Sequence, residues 1–391
     1  MTPSAQPEFT RLPDLASRNL AGSVVYANDE LFAERENLIR PERSVFAADD
    51  FGHKGKVYDG WETRRRREPT PAGESCDYAI IRLGAAGVVR GVVIDTSWFT
   101  GNYPPYASVE ATSVESFPSP AELEEVDWVT LVQRSAIEGD TDNLFRVQDD
   151  RRFTHVRLSI YPDGGVARFR VHGEPVPDPR FLTGTVDLAA LEHGAGVIDC
   201  SDMFYSSPLQ ILQPGRARSM GDGWENARRR DDGNDHVTVR LGSRGQVRRV
   251  EIDTSYFVGN AAGWACLRGT DGSGGLLDPG SWVELVPKTR LQPDTRHFFR
   301  VPETAAVTHV RLDVYPDGGI ARLRVNGEVG AEALAVATTR WLGCLPDQHA
   351  LVVLTRDGGL SREDAAKLLA QRPFSRADPV PDEVIRSLLD G

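Results

Sequence analysis

Cysteine is scarce in this chain and methionine scarcer, with four and three residues in 391. Cys76, Cys200, Cys266 and Cys344 stand far apart and form no Cys-x-x-Cys pair, so neither a zinc knuckle nor a disulfide framework is indicated. His-x-His and His-Glu-x-x-His are absent, as are the Gly-x-Ser-x-Gly elbow and the phosphate loop. No uninterrupted apolar run is long enough to span a bilayer. The N-terminus, with Pro3, Glu8, Arg11 and Asp14, lacks the apolar core of a signal peptide. A reducing cytoplasm and no membrane partner are therefore expected. Positive charge is also short: 45 Lys and Arg face 57 Asp and Glu, for a net charge of −12. That balance argues against a nucleic-acid or anionic-membrane binder.

What the chain does have, it has twice. Asp59-Gly-Trp-Glu62, followed by Arg64–Arg67, returns as Asp222-Gly-Trp-Glu225, followed by Arg228–Arg230. Ile81-Arg-Leu-Gly84 returns as Val239-Arg-Leu-Gly242, and Asp95-Thr-Ser-Trp-Phe99 with Gly101-Asn102 as Asp253-Thr-Ser-Tyr-Phe257 with Gly259-Asn260. His155-Val-Arg-Leu158 and Tyr161-Pro-Asp-Gly-Gly165 return as His309-Val-Arg-Leu312 and Tyr315-Pro-Asp-Gly-Gly319. The order is kept and only loop lengths change, so a domain-sized unit is duplicated in tandem. Maintaining a fold would repeat apolar spacing; it would not need to repeat charged and aromatic strings.

The organisation follows. Residues 1–19 read as a loosely held arm, 20–179 as repeat one, 180–330 as repeat two and 331–391 as a helical tail. Glu174–Arg180, with Pro175, Pro177 and Pro179, reads as a stiff linker. Within each repeat the apolar period is two. Val156, Leu158 and Ile160 share one strand face, and His155, Arg157 and Ser159 the other. Ala167, Phe169 and Val171 oppose Arg168 and Arg170 in the same way, and the intervening Pro-Asp-Gly-Gly reads as a β-hairpin turn. Each repeat is expected to be a mainly β, jelly-roll β-sandwich of antiparallel strands. In the tail, Ser361-Arg-Glu-Asp364 reads as a capping box opening a helix, Pro373 ends it, and Pro381–Leu389 gives a last short helix.

The Asp-Gly-Trp-Glu-plus-arginine block has the best claim to function. Arginine forks match a carboxylate or a ureido carbonyl, and carboxylates accept N–H bonds from amide-like groups. A lone arginine run is ordinarily a solvated turn; repetition beside Trp61 and Trp224 argues otherwise. The binding candidates are Asp59, Trp61, Arg65, Arg66, Arg67 and Asn102, with Asp222, Glu225 and Arg229 in repeat two. Glu62, Asp95 and His155 are the candidates for proton transfer, in that order. Asp95 follows a strand and could merely close a turn; His155 could be a bystander on a solvated face. Asp163 and Asp317 are read as turn residues. The sequence makes no cofactor certain, and a divalent metal held by carboxylates such as Asp59, Glu62 and Asp95 stays open.

These strings, with Ile94-Asp-Thr-Ser-Trp-Phe-Thr-Gly-Asn-Tyr-Pro-Pro105 and Ser201-Asp-Met-Phe-Tyr205, resemble the allantoicase (allantoate amidinohydrolase) family from about Leu20 to Gly330. The resemblance implies two galactose-binding-like jelly rolls, hydrolysis of allantoate to ureidoglycolate and urea in purine degradation, and assembly into homo-oligomers. The repeats depart from one another: Thr63-Arg64 faces Asn226-Ala227, Tyr103-Pro-Pro105 faces Ala261-Ala-Gly263, and Glu110 faces Arg268. The family's Gly-His-Asp after the arginines is replaced by Ser75-Cys-Asp77 and Gly233-Asn-Asp235. Repeat one is therefore expected to supply most of the chemistry. Two rivals stay open: a non-catalytic binding module using Trp61, Trp98, Trp224 and Trp264 as platforms, and an assembly subunit with its arginines at subunit boundaries.

Overall fold

A strand of nineteen residues organises each repeat. In the computed structural model, which describes residues 7–67, 75–374 and 380–390, these strands are Asp77–Asp95 and Asp235–Asp253. The chain divides into two compact units, residues 1–176 with 344–353, and residues 177–343 with 354–391.

In the first unit, the early half of Asp77–Asp95 pairs antiparallel with Ser23–Ala27 and Arg152–Tyr161. Its later half pairs with Arg168–Pro175 and Asp142–Arg146. One strand thus serves both layers of the sandwich. It changes layers around Gly84 and Gly87, where a Cβ would lie 1.9 Å from the Leu20 carbonyl oxygen and 2.2 Å from that of Glu174. Tyr106–Thr112 and Val129–Ala136 extend the first layer beyond Arg152–Tyr161. The second unit repeats this plan around Asp235–Asp253. Both units are jelly-roll β-sandwiches; apart from the short helix Pro120–Glu124, the α-helices among the described residues belong to the tail, and the sandwiches otherwise carry only short 3-10 turns.

The apolar faces read from the sequence form the core: Val156, Leu158, Ile160, Ala167, Phe169 and Val171 are all fully buried. The opposite faces are less wet than alternation suggests, since His155, Ser159 and Arg168 are buried too. The expected hairpin is a correction. Arg152–Tyr161 and Arg168–Pro175 pair with opposite halves of Asp77–Asp95, not with each other, so Tyr-Pro-Asp-Gly-Gly carries the chain between layers. Gly164 has φ +148°, and a Cβ on Gly165 would meet the Phe99 ring at 2.0 Å. Close approach, not hairpin geometry, is why this turn needs its glycines.

Residues 7–19 also differ from a loose arm (residues 1–6 lie outside the described chain). Leu15 and Ala16 are fully buried, the Leu15 N–H donates to the Val171 carbonyl, and Asp14 accepts the Val171 N–H. The tail is helical over Ala331–Cys344, Asp347–Arg356, Arg362–Leu369 and Asp382–Asp390. Ser361 caps the third of these by accepting the Asp364 N–H. Within the second unit, Arg180 bonds Asp357 at 2.7 Å and lies over the buried Trp341 ring.

Candidate active site

The site grows from a two-residue strand. Trp61–Glu62 pairs with Gly165–Val166 on one side and bridges Ala33 on the other. Successive side chains alternate. Trp61 points inward, fully buried, its indole N–H donating to the Asp29 carbonyl at 2.7 Å. Glu62 points the other way, into a cleft of about 800 Å³. Asn102 donates its amide to Glu62 Oε1 at 2.8 Å, while the Asn102 carbonyl receives the Gly165 N–H. The interlayer turn and the Gly-Asn loop thereby fix the carboxyl. Burial pushes Glu62 above the ordinary glutamate range; the Asn102 hydrogen bond and the nearby Arg65 charge offset this only in part.

The arginine run divides by role. The Arg66 N–H donates to Asp163 Oδ2 at 2.8 Å, and its guanidinium bonds Asp77 and the Cys76 carbonyl. Asp77 is buried, so Arg66 is committed to neutralising it. Arg64 is paired with Asp29. Arg65 lines the cleft with no hydrogen-bond partner among the described residues, which leaves its fork available. Arg67 lies outside that cleft, beside a smaller one lined by Asn28, Asp29 and Asp77. Two changes should separate these roles. R66A is expected to cost about 1.5–3 kcal/mol of stability by leaving Asp77 unpaired. R65A is expected to leave denaturant midpoints unchanged while lowering kcat/KM about 10- to 100-fold.

Several expected site residues lie elsewhere. Asp59 accepts from the buried Arg168, from Arg40 and from the Val45 N–H, so it holds the frame. Trp61 and Trp224 are core rings and offer no platform, because each buries its faces and donates its N–H to a backbone carbonyl. Asp95 accepts the Ser97 N–H and lines a separate cleft of about 450 Å³ with Trp98, Asp142 and Arg170. Asp59, Glu62 and Asp95 therefore form no ligand set, and no group of three metal-binding side chains occurs among the described residues.

His155 sits on Arg152–Tyr161, about 20 Å along the strand from the turn that borders the cleft. It is buried beside Thr154 Oγ1 at 2.9 Å. Burial, helped by the Arg82 charge, depresses its pKa to about 4. A folded-state value below the unfolded one of about 6.5 means its contribution is complete above pH 6.5 and is lost as pH falls towards 4. Denaturation of H155Q is expected to lack about 3 kcal/mol of the wild type's acid destabilisation across that window.

Thr63, Tyr103 and Asp163, none of them among the expected site residues, also line the cleft. Asp163 lines the cleft beside Glu62, and Thr63 exchanges hydrogen bonds with Gly164. For Asp163 the signal lies in the repeated Tyr-Pro-Asp-Gly-Gly string, whose turn chemistry hides its place in the cleft.

The second unit keeps the frame. Asn260 donates to Glu225 Oε1 at 2.6 Å, the Arg229 N–H donates to Asp317, and Arg229 bonds Asp235 and Asp231. Asn226 replaces Thr63, its side-chain Oδ1 accepting the Gly318 N–H. Asp222 accepts from Arg218.

The allantoicase-repeat family model matches residues 13–176 and 186–330. A probable allantoicase of Nocardia farcinica is 56% identical, covering 82% of this chain and 96% of that protein. One from Streptomyces coelicolor is 53% identical over 84% of this chain and 89% of its own. The crystal structure of allantoicase from Saccharomyces cerevisiae superposes with a TM-score of 0.71 at 34% identity, over 82% of this chain and 96% of that one. Both repeats are matched and each relative is spanned almost end to end: the chain belongs to the allantoicase family.

Proposed function

We propose that the Glu62 cleft is where this chain hydrolyses allantoate to ureidoglycolate and urea. The observation that carries the reading is a half-buried carboxyl, fixed by Asn102 and raised in pKa, facing a cleft that also holds a free guanidinium. Allantoate has a central carbon bearing a hydrogen, a carboxylate and two ureido groups. A ureido anion leaves poorly, so the departing nitrogen must be protonated as its bond to carbon breaks. Glu62, its pKa raised, supplies that proton. The lone pair of the remaining ureido nitrogen forms a C=N bond to the central carbon as urea departs. Water then adds to that carbon and loses a proton, yielding ureidoglycolate. Asp163, with one oxygen on the Arg66 N–H and the other without a partner among the described residues, is placed to accept the proton. Arg65 receives the substrate carboxylate.

The cytoplasm is the proposed compartment, supported by four free cysteines; no helix among the described residues is long and apolar enough to cross a membrane. A homo-oligomer is proposed as well. It is supported by the Met203, Phe204 and Tyr205 side chains, exposed by 62, 72 and 65%, which a solvated monomer would leave to water. The function is tested by incubating purified protein with allantoate, before and after chelation. Equal release of urea and ureidoglycolate supports the reading; no release under either condition from folded protein, nor after divalent-metal add-back, contradicts it.

A further inference from the structure

The repeats share the Glu–Asn frame but not the chain that precedes it. In repeat one, nineteen residues separate Ile39, the end of a short 3-10 helix, from Asp59. In repeat two, nine separate Leu212, the end of the matching helix, from Asp222. The extra length forms a small hairpin, Phe51–Gly52 with Gly55–Lys56, whose tip and returning strand line the Glu62 cleft.

The hairpin is held by contacts on its flanks. Phe46 stacks on Trp98 with centroids 5.4 Å apart, and the Trp98 indole donates to the Ser44 carbonyl. Tyr58 stacks on Phe99 at 4.8 Å, and the Val57 N–H donates to the Asp50 carbonyl. Lys56 Nζ donates to the Ala48 carbonyl and lies 4.2 Å from the Phe46 ring centroid. Trp98 is thus a prop for the hairpin, which gives it a role distinct from a ligand platform.

Among the described residues, four cations line the cleft: Lys54, Lys56, Arg65 and Arg66. Lys56 is committed to its own loop and Arg66 to Asp77. Among the described residues, Lys54 and Arg65 alone of the four have no hydrogen-bond partner. A carboxylate offers about four acceptor positions, and one guanidinium fork satisfies two.

We infer that Lys54, carried by the hairpin peculiar to repeat one, is a substrate-binding residue. It joins Arg65 in receiving the carboxylate of a small ureido acid. This rests on the proposed function and identifies what distinguishes the competent repeat from its copy. Lys54 attracts the anion and orients it; it exchanges no proton with the reacting carbon, so its effect belongs in binding.

The test is steady-state urea release by K54Q, K54E and K54R beside wild type. K54Q is expected to raise KM for allantoate about 10- to 100-fold, the size of a lost charge-assisted hydrogen bond, with kcat nearly unchanged. K54E should raise it further and K54R should restore most of it. Inhibition by ureidoglycolate should weaken in K54Q while inhibition by neutral urea stays the same. A KM within about twofold of wild type, or a loss in kcat alone, overturns the role of Lys54 and leaves the allantoate reading standing. Wild-type protein that releases no urea overturns both.

Discussion

Replacing Glu62 with Gln is expected to lower kcat for urea release by about 10²- to 10⁴-fold, the usual worth of a positioned proton donor. The amide keeps the size of the side chain and can still accept from Asn102. What it lacks is a transferable proton. The loss should therefore fall on kcat, with KM little changed. The same burial that prepares Glu62 for catalysis works against the fold. Its folded-state pKa lies above the unfolded value, so its contribution is present at low pH and is lost as pH rises through the folded-state value. E62Q should then be at least as stable as wild type near pH 8. In the wild type, an acid role makes activity decline on the alkaline side of a limb displaced upward from ordinary glutamate. Kinetics across pH 4–9, paired with denaturation at pH 5 and pH 8, check both halves. Full activity in E62Q would remove it from the chemistry.

The largest stability effect is expected at Arg168. It is 1% exposed and donates to the carbonyls of Glu42, Asp59 and Ala167 and to Asp59 Oδ2 at 2.8 Å. Burial alone would raise the Asp59 pKa; Arg168 and the Val45 N–H outweigh it and hold the carboxyl below its usual range. R168M removes the cation while keeping much of the bulk, stranding a partly buried carboxylate and several carbonyls. Breaking such a pair costs about 3–5 kcal/mol. For a unit of this size that corresponds to a fall in Tm of roughly 10 °C. Because Asp59 leads directly into Trp61–Glu62, residual activity at low temperature should also fall. Calorimetry of R168M beside wild type decides it; a Tm within about 2 °C would show that the pair does not hold the site strand.

Much of this was legible in the sequence because the duplication filtered it. Asp-Gly-Trp-Glu, Gly-Asn and Tyr-Pro-Asp-Gly-Gly are distant along the chain, yet each recurs in order, and in the first unit they meet around Glu62. Period-two alternation located the core strands. It could not show that Asp77–Asp95 serves two layers, since a strand that changes layers keeps its period. Nor could it separate the buried Arg168 from the half-buried Arg170, which share a strand face. That His155 lies away from the cleft is hidden in the sequence for the same reason: a polar strand face says nothing about which end of the strand meets a cleft. Trp61 is a core ring rather than a platform; aromatic rings serve cores and ligands alike, and only its burial separates the two. Lys54 left no repeated signal, since it lies in chain that repeat two does not have.

Urea release by E62Q and E225Q, measured side by side on allantoate, tests most directly the claim that the repeat-one cleft does the chemistry. Both substitutions remove one carboxyl from the same Glu–Asn frame. E225Q is expected within about twofold of wild type, and E62Q is expected to lose at least about 100-fold. Equal losses in two folded variants, or a loss confined to E225Q, would contradict it.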